Sequence, residues 1–319
     1  MLYQKTKTVK KRKGVIMKVV YGHTDSIYVQ MPMENTEEVL ALLNNHVRNL
    51  FPNVLNLEQH PVTIEFEKYY ESLGVGITKN RNAGLISWKD GEYLDEPEFV
   101  MTGFTAKRRT ITKLDKEIQT KILKMWVGQS SEKEITNFLK KKYNDILKGR
   151  IELDMLINRT RYRAERFTYK CLDCGKTYSV DKLLELRKNV KGILRCSKKD
   201  CLSSLILVTT EGKRPTVSSG VEGVLWYNQN VGTINDSYLY LKVEDVFSRP
   251  NYMNPVTGVS KRPSYISAPT LDELKEYKPD YKHYAESIVK KAKPIYNAMG
   301  WDLEEIKKDE NQKTLDEWW

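Results

Sequence analysis

Cysteine and histidine are scarce in this chain, four of each among 319 residues. So few cysteines exclude a disulfide-built scaffold, and all four fall between Cys171 and Cys201, a clustering that points to a metal. No run of 18 apolar residues occurs, and the leader MLYQKTKTVKKRKG has no apolar stretch behind its charges. The sequence therefore offers neither a helical membrane span nor a secretory signal, and a cytoplasmic location is expected. Internal repeats and long low-complexity tracts are missing too. Acidic residues are outnumbered, 42 Asp and Glu against 53 Lys and Arg, and the resulting charge of +11 suits a polyanion without separating DNA, RNA and acidic protein. What is present, 40% apolar residues, suffices for a real core and excludes simple disorder.

The pattern along the chain predicts an α+β protein. Residues 1–14 form a basic leader. Residues 15–21 and 26–31 are β-rich runs around the polar Gly22-His23-Thr24-Asp25, which predicts a hairpin with a turn of about four residues. Apolar residues at helical spacing predict a helix over 36–50, ended by Pro52. Val62, Ile64 and Phe66 alternate with Thr63, Glu65 and Glu67, predicting a strand that carries two carboxylates on one face. Further strands are expected over Gly74–Ile86 and Phe99–Thr102, with Asp90-Gly91 in the loop between them. These complete a sheet-rich platform over 15–110. Helices are expected over 111–167, a cysteine module over 168–212, and a mixed region over 213–304 with a strand at 237–243 and a helix after Pro279. A polar tail, 305–319, ends in Trp318-Trp319.

Tyr21-Gly22-His23-Thr24-Asp25-Ser26, set between two strands, resembles the Y-G-D-T-D-S palm motif of family B DNA polymerases. The likeness continues in order through Ile64–Tyr70, through Thr78–Gly84, which resembles the K-K-x-Y-A element, and through Gly103–Arg109, which resembles a glycine followed by paired arginines. Tyr281–Trp301 resembles the last thumb helix. The resemblance implies part of a polymerase palm in an antiparallel sheet with a helix, then an α-rich thumb with the cysteine module inserted. It implies two-metal nucleotidyl transfer, in which carboxylates hold Mg2+ between the primer 3′ oxygen and the triphosphate. Asp25 maps onto the second Asp of D-T-D, an essential metal ligand, and Glu67 becomes an auxiliary carboxylate beside the metals. His23 replaces the first Asp, which removes a negative charge and offers an imidazole. Ordinary turn chemistry remains the bland reading of the hairpin, and a solvated strand face that of Glu65 and Glu67.

Exonuclease domain, fingers and the palm strand with the second catalytic Asp have no room here. The expectation is a small subunit of an archaeal-type split polymerase, inactive alone, whose large subunit carries the missing parts. Its other partners would be primer-template DNA and a sliding clamp, and its location the nucleoid. Lys79 and Arg81 share a strand face in this reading and reach the duplex backbone; Lys107, Arg108 and Arg109 form a cationic step ahead of the thumb. Asn82 stands where the family has Tyr. Solvated charge runs are the alternative for each cluster, including Arg159, Arg161, Arg163 and Arg166.

Cys171-Leu172-Asp173-Cys174-Gly175-Lys176 is a C-x2-C knuckle, and Cys196 and Cys201 supply a C-x4-C pair after a gap of 21 residues. Four thiolates in two pairs make a closed tetrahedral Zn2+ site, a structural zinc ribbon; reduced buried cysteines or a redox pair are the alternatives. In the tail, Gln312, Leu315, Trp318 and Trp319 match the spacing Q-x-x-hydrophobic-x-x-aromatic-aromatic of the clamp-binding box of replication proteins. Two other functions stay open: a non-catalytic zinc-ribbon DNA-binding accessory subunit, and a zinc-ribbon binder unrelated to replication.

Overall fold

The computed structural model describes residues 17–22, 25–58, 60–76, 80–108, 110–179, 182, 195–201, 203–209, 211, 213, 216–234, 236–254, 256 and 259–308. His23, Lys79, Arg109 and the tail residues Gln312, Leu315, Trp318 and Trp319 lie outside the described residues. The chain divides into two compact units. Met1–Lys107, Ile118–Lys140 and Val289–Trp319 make the first; Arg108–Glu117 and Lys141–Ile288 make the second.

In the first unit, β1 (Lys18–Gly22) and β2 (Ile27–Gln30) pair antiparallel, Lys18 opposite Gln30 and Gly22 opposite Ile27. Asp25 lies in the connection, as the β-rich runs predict, and Ser26, expected to open the second strand, lies there too. The helix α1 (Thr36–Leu50) has its predicted bounds and yields to Phe51-Pro52. Ile64 and Phe66 turn inward and Glu65 and Glu67 outward, yet 61–67 is no strand. Its Ile64 backbone bonds the Asn44 side chain of α1 in both directions, at 2.7 and 2.9 Å, so a helix amide occupies the place of a neighbouring strand.

The sheet proper is an antiparallel meander of β3 (Lys68–Val75), β4 (Asn82–Lys89) and β5 (Glu92–Thr102). The expected continuous strand Gly74–Ile86 breaks because the Gly76 N–H bonds the Arg81 carbonyl at 2.6 Å and folds the chain back. Asp90 and Gly91 both take positive φ, +54° and +97°, the two left-handed residues that a tight β4–β5 hairpin needs. Two long helices follow, α2 (Lys113–Val127) and α3 (Glu132–Leu147). Their stripes Ile118-Ile122-Leu123 and Ile135-Leu139 are buried in this unit, together with Ile295 and Tyr296 from the last long helix. Trp126 of α2 covers Gly74, where an added Cβ would meet the indole at 2.2 Å, so β3 and α2 pack at backbone distance.

The second unit opens with the short helix α4 (Leu153–Leu156) and β6 (Asn158–Arg161). A small sheet of β7 (Phe167–Cys171), β8 (Thr177–Ser179) and β9 (Leu205–Thr209), ordered β8-β7-β9, carries the cysteines. A helix that the sequence pattern did not reveal, α5 (Ser219–Asn230), lies on a second sheet of β6, β10 (Ser237–Lys242) and, beyond the two-residue ribbon β11 (Tyr252–Met253) and β12 (Ser260–Lys261), β13 (Tyr265–Ala268). Gly223 permits the approach, since a Cβ there would stand 2.3 Å from Ser267 Oγ. The helical turn α6 (Leu271–Leu274) leads to α7 (Tyr281–Met299), whose buried Tyr284 hydroxyl accepts the Lys242 N–H at 2.8 Å.

Candidate functional site

Three of the segments that resemble polymerase motifs meet at Asn80. Its backbone N–H donates to the Tyr21 hydroxyl at 3.2 Å, and that hydroxyl donates to Asn80 Oδ1 at 3.3 Å. Tyr21 ends the first hairpin strand, just ahead of the Asp25 turn, and lies 59 residues from Asn80. On its other side the Asn80 carbonyl presses on Gly103, where a Cβ would come within 1.9 Å of the oxygen; Gly103 has φ +74°, and Asn80 itself φ +63°. Only glycine tolerates both the left-handed backbone and the missing space. The hairpin thus joins the Asn80-Arg81 segment through the Tyr21 hydroxyl, and that segment meets the Gly103 corner at backbone distance.

Aromatic stacking fixes the hairpin from a second direction. Tyr21 and Tyr28 lie 5.4 Å apart between ring centroids, and Tyr28 and Tyr70 of β3 lie 6.0 Å apart. Burial, reinforced by Tyr28, pushes the Tyr70 hydroxyl up to about 12. Past Gly103, a 3-10 turn over Thr105–Lys107 is clamped by buried Gln119, whose Oε1 accepts the Thr105 hydroxyl at 2.9 Å and the Ala106 N–H at 2.7 Å. Lys107 follows this clamp exposed, and Arg108 is exposed as well. Arg81 is half-buried just ahead of β4, in the β3–β4 connection rather than within a strand.

The carboxylates differ in situation. Asp25 is exposed in the hairpin turn. Glu67 is exposed ahead of β3 and bonded to the Lys68 ammonium, which that hydrogen bond holds above the ordinary lysine value. Among the described residues, the groups of three or more Cys, His, Asp or Glu that could hold a metal reduce to the four cysteines. Neither Asp25 nor Glu67 belongs to such a group among the described residues.

The cysteine site is complete in itself. Its four sulfurs lie within 4.8 Å of one another, with Cys171 and Cys201 at 3.5 Å and Cys174 and Cys196 at 3.5 Å, and all four are free thiols. A tetrahedral ion with metal–sulfur bonds of about 2.3 Å needs sulfur separations of about 3.8 Å, within that spread. Both loops are wrapped as knuckles. Gly175, φ +71°, donates its N–H to the Cys171 carbonyl at 3.2 Å, the Cys171 N–H bonds the Lys176 carbonyl at 2.9 Å, and the Cys196 N–H bonds the Ser203 carbonyl at 2.9 Å. The Cys174 N–H, foremost, pulls the Cys171 thiol down to about 6. The Ser203 N–H favours the Cys201 thiolate, but the neighbouring sulfurs and burial outweigh it and push that thiol up to about 11. Four thiols so crowded cannot all ionise without a cation among them, so the donor set fits a divalent metal.

Sequence reasoning missed Tyr178 behind this site. Its hydroxyl accepts from the Ser197 N–H at 3.0 Å and the Ser197 hydroxyl at 3.1 Å, and lies 3.1 Å from Cys196 Sγ, which it holds below the usual thiol range. Arg159 and Arg161 project to solvent from β6, at the edge of its sheet.

Comparison with known proteins agrees with the motif reading. The profile of DNA polymerase family B matches residues 2–207, well over half the chain. The DNA polymerase delta catalytic subunit of Candida albicans is 30% identical over 156 residues, 48% of this chain and 14% of that protein. The DNA polymerase zeta catalytic subunit of Arabidopsis thaliana is 25% identical over 140 residues, 44% of this chain and 7% of that one. The family B DNA polymerase from the archaeon Pyrobaculum calidifontis aligns with 93% of this chain and 27% of its own, with TM-score 0.45 and 17% identity. The chain thus spans about a seventh or less of the length of these curated relatives. No helix among the described residues is long and apolar enough to cross a membrane. This chain belongs to DNA polymerase family B.

Proposed function

We propose that this chain is the small subunit of a split family B DNA polymerase, supplying part of the palm and the thumb and active only with a large subunit that carries exonuclease, fingers and the remaining palm. The observation that carries the reading is the junction at Asn80, which ties the Asp25 hairpin to Arg81 and to the Gly103 corner within one unit. Among the described residues Asp25 belongs to no group of three or more potential metal ligands, and in this proposal the partner supplies the remaining carboxylates. Asp25 would hold Mg2+ jointly with the partner's carboxylates, and the chemistry such an ion would supply there is charge stabilisation of the nucleotidyl transfer. Glu67 assists while Lys68 limits its negative field, and His23 tunes the charge beside the turn.

Arg81, Lys107 and Arg108, with Lys79 and Arg109, grip the primer-template backbone, a role in which each phosphate neutralised adds about one unit to the salt slope of binding. Zn2+ in the four-cysteine site builds a ribbon that stabilises its own sheet rather than taking part in chemistry. Gln312, Leu315, Trp318 and Trp319 bind a sliding clamp. The decisive experiment mixes the purified chain with the candidate large subunit and follows primer extension with and without Asp25→Ala. Extension lost while the complex still forms supports the proposal; no complex and no extension defeats it. A second reading, a non-catalytic DNA-binding accessory subunit, is favoured by His23 and Asn82, and extension retained in Asp25→Ala would establish it.

A further inference from the structure

Phe247 is the most exposed large apolar side chain among the described residues, 91% open to water. It does not sit on a slack loop. Nearly buried Arg249 donates from Nη1 to the Glu244 carbonyl at 2.7 Å and from its N–H to the Val246 carbonyl at 3.0 Å, closing the loop from both sides of Phe247. The Trp226 indole N–H holds the Pro250 carbonyl at 2.9 Å, and the Glu244 N–H bonds the Lys278 carbonyl at 3.1 Å. Arg262 grips both oxygens of Asp245, at 2.6 and 3.0 Å, and its guanidinium lies 5.5 Å from the Phe247 ring centroid. A guanidinium is therefore set over a largely exposed aromatic ring before any ligand arrives.

Arg262 also forms a wall of a polar cavity of about 450 Å³, with Lys242, Lys261, Asn251, Ser260 and Ser264 around it. Its acidic wall residues are engaged, Asp245 by Arg262 and Asp280 by the His283 N–H at 2.9 Å. An apolar protein partner seated on Phe247 would strip water from Arg262 and Lys242 without replacing it, a costly exchange. A nucleobase suits the groups present: its π face covers the ring, the guanidinium extends the stack, and the adjoining cavity is lined by the Ser260 and Ser264 hydroxyls, the Asn251 amide and Lys242, while Lys261 is already bonded to Glu222 at 2.7 Å. We propose that Phe247 and Arg262 form a stacking platform for unpaired bases, a single-stranded nucleic-acid site in the second unit. The proposal extends the polymerase reading and rests on it for the class of ligand alone.

The test uses the full chain by itself, with short fluorescein-labelled oligo(dT), a duplex of equal length and dTMP as probes. Phe247→Ala is expected to weaken oligo(dT) binding by roughly ten-fold, with duplex binding altered less than about two-fold. Phe247→Trp should restore affinity and show fluorescence quenching on oligo(dT) addition beyond that of the unaltered chain. Unchanged oligo(dT) affinity in Phe247→Ala, an unquenched Phe247→Trp, equal loss for duplex and single strand, or quenching by dTMP but not by oligo(dT) would each overturn it. Unchanged circular dichroism and metal content exclude misfolding as the cause. No extension is measured, so failure here leaves the polymerase reading standing, and failure of extension leaves this site standing.

Discussion

The hairpin and the cysteine sheet are both small β structures that present ligand side chains from turns, and they solve opposite problems. The cysteine sheet gathers a whole coordination set from its own knuckles, four sulfurs within 4.8 Å and a tyrosine hydroxyl behind one of them. The hairpin offers one turn carboxylate, Asp25, and spends its contacts on being held in place, through Tyr21 on Asn80 and Tyr28 on Tyr70. A site that must be complete at all times is built locally. The hairpin is instead positioned by contacts made far along the chain, with Asn80 and with Tyr70.

The largest effect should come from breaking the self-contained half. Structural zinc in such modules contributes on the order of 10 kcal/mol of apparent binding free energy at neutral pH, all of it coupled to folding. Cys171→Ser or a strong chelator is therefore expected to take metal content from one ion per chain to none and to erase amide protection in β7 and β9. Hydrogen exchange checks this. A sheet that keeps its protection without metal would show that Tyr169, Tyr178, Leu205 and Leu207, all buried, form a sufficient core on their own.

Next comes the open half. With the large subunit present, Asp25→Ala should slow primer extension by about 10³-fold, the cost of losing one preorganised electrostatic contact to the transition state, without changing assembly. The same substitution should leave zinc content untouched. Coupled loss of both would collapse the distinction between a dependent and an independent site.

How far each half could be read from sequence follows from the range of its contacts. The cysteine pairs are legible because each knuckle closes within a few residues. The hairpin, α1 and the Asp90-Gly91 turn are legible because alternation, helical period and left-handed turn residues are local signals. Asn80 was not, since its partner Tyr21 lies 59 residues away and no spacing rule links them. Residues 61–67 alternate like a strand but pair with an asparagine side chain, so the period was right and the partner wrong. The helix α5 escaped notice because it is buried from Gly220 to Gln229 on nearly every side and leaves no amphipathic stripe.

A middling effect tests whether the Asn80 junction is what makes the hairpin rigid. Gly103→Ala places a Cβ against the Asn80 carbonyl at a left-handed backbone, and strain of this kind costs about 1–3 kcal/mol. Thermal unfolding should register that loss, and extension by the assembled enzyme should fall further than stability alone explains. Tyr21→Phe removes the hydroxyl without strain and should reproduce the activity loss with a smaller change in melting temperature. If both variants extend primers normally, the junction is packing and the hairpin takes its position from the tyrosine stack.

The smallest effect separates two uses of Glu67. If it serves the metals, Glu67→Gln should lower extension by at least ten-fold, because a carboxylate beside Mg2+ is replaced by a neutral amide; if it serves Lys68 alone, extension should change less than about three-fold. Stability supplies an independent readout. Lys68 is held above its ordinary value, first by its hydrogen bond to Glu67, so its contribution to folding is present in full below the unfolded lysine pKa and is lost as pH rises through the higher folded value. Glu67 is exposed and Lys68 half-buried, and solvent screening at the carboxylate keeps that contribution small. Glu67→Gln should therefore flatten the alkaline limb of a stability–pH profile and leave the neutral region nearly unchanged. Normal extension together with a flattened limb would make Glu67 a partner of Lys68 rather than of the metals.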